Sequence, residues 1–223
     1  MFEPADEYPH AEAAVEEWVF AAWAPDASFG LVAGHRLFPA AKRAWYWFAL
    51  AEHGYPMLHV TEWDVAVRSD PFVVKAPEMW AEHHCVAPLR QWTVANEAHA
   101  AGLDGPDEAL GRGYGVVVRM AADVEWYAIG GAVAIGDGFV QEGVAHGRVE
   151  LSDREHREFA EIPARRWRRW GSALGPLDVP AARAHAGLHA AFAFPDGTVA
   201  DWALTPTGWH TRHPPPTILR QPM

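Results

Sequence analysis

The chain has 223 residues, half of them apolar and including 12 Trp and 10 Phe, and its 18 basic and 29 acidic residues give a formal net charge of −11. Such a composition is that of a globular chain and excludes a disordered one; the length suits one large all-β domain or two small ones. The acidic balance argues against nonspecific binding of nucleic acid or of an anionic membrane surface.

The first eighteen positions, MFEPADEYPHAEAAVEEW, lack the basic and apolar regions of a signal peptide, and no apolar run approaches the roughly 20 residues of a membrane span, so a cytoplasmic protein is expected. Glu12 to Trp23 reads two ways: its Ala and Glu residues favour helix, while WVFAAW can open a strand. Residues 29–50 contain FGLVAGHRLF, a Pro-Ala-Ala-Lys turn and RAWYWFAL. The last run alternates Trp45 and Trp47 on one face with Tyr46 and Phe48 on the other. Both faces are apolar, which predicts a strand between two layers or between a wall and a cavity.

In HVTEWDVAV, Thr61, Trp63, Val65 and Val67 are expected on one face and Glu62, Asp64 and Ala66 on the other. The two carboxylates would stand about 6.5–7 Å apart, a spacing open to acid–base work or to a solvated outer face. In MWAEHHCVAPLRQWTV, Trp80, Glu82 and His84 point one way and His83 and Cys85 the other, with Pro88 interrupting the run. A histidine beside a carboxylate is a proton-shuttle arrangement, with a structural histidine as the alternative. Cys85 is the only cysteine, which excludes an internal disulfide and fits a reducing compartment.

Residues 96–113 read as a polar loop, and Gly111, Gly113 and Gly115 lack the following helix that a phosphate-binding loop needs. YGVVVRMAADVEWY is a further strand, with Tyr114, Val116, Val118 and Met120 on one side. From Phe139 to Leu151, Val140, Glu142, Val144, His146 and Arg148 share a face opposite Phe139, Gln141, Gly143 and Ala145, whose small residues would leave room for a ligand. GLHAAFAF and TVADWALT flank Pro195-Asp196-Gly197 as a hairpin, and Pro214, Pro215 and Pro216 prevent regular structure in the tail. The count of eight to ten short strands predicts an all-β, antiparallel barrel or two packed β units with few short helices.

VAPLRQWTV at 86–94, VEWYA at 124–128, FVQEGVAHGRV at 139–149 and IPARRWRRWG at 162–171 together resemble the lipocalin-like superfamily of carotenoid 1,2-hydratases, kievitone hydratase and AttH-type proteins. In many relatives the last segment reads Arg-Asp-x-x-Trp-Gly; Arg166, Trp170 and Gly171 match, and Trp167 takes the acidic position. The resemblance implies a single lipocalin-like (calycin) domain over 1–223, or alternatively two β subunits over about 15–128 and 139–205, around a pocket for a terpenoid, polyketide or steroid-like molecule.

Two functions follow as expectations. One is a cofactor-independent hydratase, isomerase or cyclase, whose acid is drawn from Glu82, His84, Glu62, Asp64, Glu142 and Asp201, with Glu82 and His84 preferred; burial would raise such an acid. The other is a noncatalytic binder of a hydrophobic small molecule. Both need aromatic walls, for which Trp45, Trp47, Trp63, Trp80, Trp92, Tyr114 and Trp126 are the candidates, with Arg166 contributing or bracing Trp170 by cation–π contact. No metal or cofactor is expected, because His83, His84 and Cys85 alternate in direction and no single inward His for a haem barrel is marked. A homodimer stays open.

Overall fold

The computed structural model describes residues 1–111, 113–177, 179–181 and 187–212; the tail prolines 214–216 lie outside them. The strands are β1 (Val15–Trp23), β2 (Phe29–Phe38), β3 (Arg43–Glu52), β4 (Met57–Ala66), β5 (Val73–Ala76), β6 (Met79–Ala87), β7 (Gln91–Leu103), β8 (Val116–Ala128), β9 (Val133–Ile135), β10 (Gly138–Leu151), β11 (Arg157–Gly171), β12 (His189–Ala193), β13 (Val199–Thr205) and β14 (Gly208–Thr211). Two 3₁₀ turns, Pro4–Glu7 and Pro106–Leu110, are the only helical elements described, and no helix described is long and apolar enough to cross a membrane. Of the two readings of residues 12–23, the strand holds: every residue of β1 is buried.

Pairing runs β4-β3-β2-β1-β11-β10-β8-β7 and returns to β4 through Met57, Leu58 and His59 against Leu103, Gly102 and Ala101. Eight antiparallel strands therefore close a ring, which leaves few free edges. Strands from both ranges, 15–128 and 139–205, share this one ring, with β11 and β10 inserted between β1 and β8. Beyond Leu103 the closure loosens. β6 takes over the edge of β7 from Ala98 to Gln91, β5 pairs with β6, and among the described residues no ladder joins β5 to β4.

Alternation along the strands sorts the apolar residues into two clusters. Inside the ring lie Trp18, Phe20, Leu31, Tyr46, Phe48, Leu58, Trp92, Met120, Trp126 and Ile162. The second cluster lies between the outer face of β1–β4 and the separate β12-β13-β14 sheet, and holds Trp23, Trp47, Phe192, Trp202 and Trp209. The doubly apolar pattern of β1 and β3 is thus that of a layer covered on both sides. Gly34 permits it, because a Cβ there would sit 1.9 Å from the Trp47 indole.

Two bulges correct the simple alternation. Asp64 has φ 59° where the β3–β4 register slips, so Val65 and Val67 pack on the inner cluster while Trp63 packs on the outer one. Glu161, φ 54°, does the same in β11. Gly143 makes room for a side chain rather than a ligand: a Cβ there would meet the Trp126 ring at 2.5 Å.

Candidate functional site in the barrel interior

β11 turns Arg166 and Arg168 inward, and the segment around Pro4–Glu7 crosses the base of the ring to meet them. Arg166 donates from Nη1 and Nη2 to the two oxygens of Glu7, at 2.7 and 2.5 Å, and from Nε and Nη2 to Gln141 Oε1. Its guanidinium lies 4.7 Å from the Trp126 ring centroid and 5.1 Å from that of Phe139. Arg168 pairs with Glu16, donates to the carbonyls of Asp6 and Tyr8, and stacks 4.0 Å over Trp18. These charges are buried but matched, as buried ions must be. The acid that pairs with Arg166 is Glu7, 159 positions before it.

Above this base the interior turns from matched to unmatched. His35 on β2 and His83 on β6 are buried, their rings 5.7 Å apart at 82°. Around them stand Trp18, stacked on His35 at 5.7 Å, Phe20 at 5.4 Å from His83, and Tyr46 at 6.1 Å from His83. Asn96 Nδ2 reaches across the ring from β7 to donate to Tyr46 Oη at 2.6 Å. Among the described residues none of the four imidazole nitrogens has a hydrogen-bond partner, nor do Asn96 Oδ1, Trp92 Nε1 and Trp126 Nε1. Buried polar atoms are almost always satisfied, and each orphan costs about 1–3 kcal/mol.

Burial, followed by the charge of Arg168, lowers His35 to about 3, and burial followed by His35 lowers His83 well below its ordinary value. Burial likewise drives the Tyr46 phenol above its usual range. At neutral pH each ring therefore offers one N–H donor and one lone pair. Such a set matches the hydrogen-bonding capacity of a neutral hydroxyl or carbonyl and not an ion, which would meet no countercharge there. Among the described residues no group of three or more His, Cys, Asp or Glu is placed to hold a metal ion.

Of the residues proposed from sequence, Trp92, Trp126 and Arg166 lie in this interior. Trp45, Trp47 and Trp63 stand on the outer face against Phe194, at 6.3, 5.0 and 5.5 Å. Trp80 faces outward too, over an open groove of about 860 Å³ shared with Glu97, His99, Arg119 and Glu150, and Tyr114 is 78 % exposed. Glu82 and His84 stand across the β6 backbone from His83, and His84 is exposed. Glu142 is exposed and accepts from Arg165 Nε at 2.7 Å. Asp64 is exposed near Arg43, and Asp201, raised by burial, lies 3.4 Å from Arg212 in the smaller sheet. Glu62 shares the inward parity of Leu58 and Val60, is half-buried, and is raised by burial and then by Glu78.

The sequence does not single out His35, Asn96 or Glu7; it places Tyr46 only by its strand face, and His83 by its direction and as a weighed metal ligand with His84 and Cys85. The available signal was parity: His35 alternates with Leu31, Ala33 and Leu37, and His83 with Met79 and Ala81, so each is a polar residue on an otherwise apolar face. Comparison with protein-family models, with curated proteins and with solved structures finds no match.

Proposed function

We propose that the protein binds a small, neutral, largely apolar molecule inside the barrel and holds it by one hydroxyl or carbonyl between His35 and His83. The observation that carries this reading is the set of four partnerless imidazole nitrogens within aromatic walls. An apolar side chain at either position would pack without those orphans, so their presence favours a visiting hydrogen-bonding group. Geraniol, a hydroxyl on an apolar chain, is a suitable probe. Tryptophan fluorescence titration should show saturable binding, weakened at least tenfold in His35→Leu and His83→Leu. Equal affinity in wild type and both variants would sink the reading.

Catalysis on the same ligand is the second reading, and Glu62 favours it. A half-buried carboxyl held above its ordinary value on an inward face is the kind of acid that protonates an alkene. A hydratase, isomerase or cyclase of the lipocalin-like superfamily would use it without a cofactor, in a cytoplasmic setting consistent with the single cysteine. Incubation with geraniol followed by mass spectrometry tests this: product should form with wild type and not with Glu62→Gln, while binding persists in both.

A further inference from the structure

We infer that Phe72 is a resident stand-in for the ligand, so that a benzene-sized ring bearing one neutral hydroxyl enters by displacing Phe72 from between Trp18 and Trp92. This rests on the interior-binding reading above and adds the ligand class and the route of entry.

Phe72 ends the connection between β4 and β5, the part of the wall that lacks a ladder. Its ring meets Trp18 edge-on at 5.0 Å and Trp92 at 5.6 Å, with Tyr8 beyond at 6.3 Å. Trp18 is in turn stacked on His35, and the backbone of His83 bonds to that of Phe72, so the slot that Phe72 fills is one indole away from the His35 ring and beside the strand that carries His83. Trp18 and Trp92 are fully buried, whereas Phe72 is half-buried and Tyr8, outside it, is 43 % exposed, so Phe72 lies between solvent and the two indoles.

Few bonds hold it there. Phe72 N donates to Asp70 Oδ1 at 2.9 Å, and its carbonyl accepts from His83 N at 3.0 Å. Among the described residues β4 is paired on the β7 side through Met57, Leu58 and His59 alone, and β5 joins the ring only through β6 and β7, so the wall beside Phe72 is not closed by a ladder. The slot selects its visitor by chemistry. Two indoles in edge contact suit an aromatic ring, and neutral imidazoles suit a hydroxyl rather than an ion.

The test uses 4-ethylphenol and ethylbenzene, titrated calorimetrically into wild type, Phe72→Ala, Phe72→Leu and Phe72→Ala/His83→Leu, with near-ultraviolet circular dichroism confirming the fold of each. Removing a competing plug should tighten 4-ethylphenol at least tenfold in Phe72→Ala, with Phe72→Leu between it and wild type. Ethylbenzene should bind at least tenfold more weakly than 4-ethylphenol, and that preference should vanish in the double variant. Unchanged affinity in both Phe72 variants, or equal affinity for the two probes, overturns the proposal. If wild type binds 4-ethylphenol through His83 but is indifferent to Phe72, the plug fails and the interior site stands. If folded Phe72→Ala binds neither probe, both fail.

Discussion

An imidazole buried without a partner is a liability in a domain whose net stability is only about 5–15 kcal/mol. His35 and His83 carry four such nitrogens between them. Replacing one ring by an apolar side chain of similar size removes orphans worth about 1–3 kcal/mol each. With two such nitrogens on the ring, His35→Leu should therefore raise the melting temperature of the ligand-free protein by roughly 4–24 °C at ~2–4 °C per kcal/mol, while weakening geraniol binding at least tenfold. Calorimetry checks it, and a lower melting temperature would mean that the imidazole is satisfied in the free protein. Stability gained where activity is lost is the pattern of a functional residue.

Among elements, the 3₁₀ segment at the base has the most at stake. Glu7 accepts from Arg166 and from the Leu89 amide at 2.6 Å, which ties the segment to β11 and to the β6–β7 turn. Glu7→Ala would leave the Arg166 charge buried without a countercharge, hydrogen-bonded to Gln141 and against aromatic rings, and should destabilise by about 3–5 kcal/mol, read as a shift in the urea midpoint. Gly34→Val should cost several kcal/mol by overpacking, because β2 and Trp47 leave no room for a Cβ. A midpoint within experimental error of wild type would contradict either account.

The strands show what could be read in advance. Parity is local, so the opposition of Trp45 and Trp47 to Tyr46 and Phe48, and of Glu82 and His84 to His83, was legible in a few residues. Which side faces the interior was not, since it depends on ring closure by β11 and on a covering sheet formed from residues beyond 188. The slip at Asp64 was equally hidden, because a left-handed aspartate leaves no periodic trace. The Glu7–Arg166 pair is a meeting of distant segments that no local pattern announces.

At the scale of the whole molecule, one half of the barrel is sheathed and the other bare. β12–β14 cover β1–β4, whereas β6, β7, β8 and β10 present their outer face to the open groove. Burial across the molecule also sets its response to acid. His35 is held at about 3, His59 at about 4 and His83 well below its usual value, against about 6.5 in an unfolded chain. The unfolded state binds the extra protons, so this stabilisation is complete above pH 6.5 and is lost as pH falls, at ~1.4 kcal/mol per unit for each histidine. Glu62 and Asp201, both raised, act in the opposite sense at lower pH. Urea midpoints should fall between pH 7 and pH 5, and less steeply in His35→Leu; a flat profile would contradict burial of neutral rings.

Ring closure by a pair as far apart in sequence as β1 and β11 also constrains how the protein is made. At ~5–20 residues per second, β1 waits on the order of ten seconds on the ribosome before its second neighbour is translated. Until then Val15–Ala22, apolar but for Glu16 and Glu17, presents an unpaired strand edge. The nascent chain is thus most exposed to aggregation, and most in need of a chaperone, just before its last barrel strand emerges.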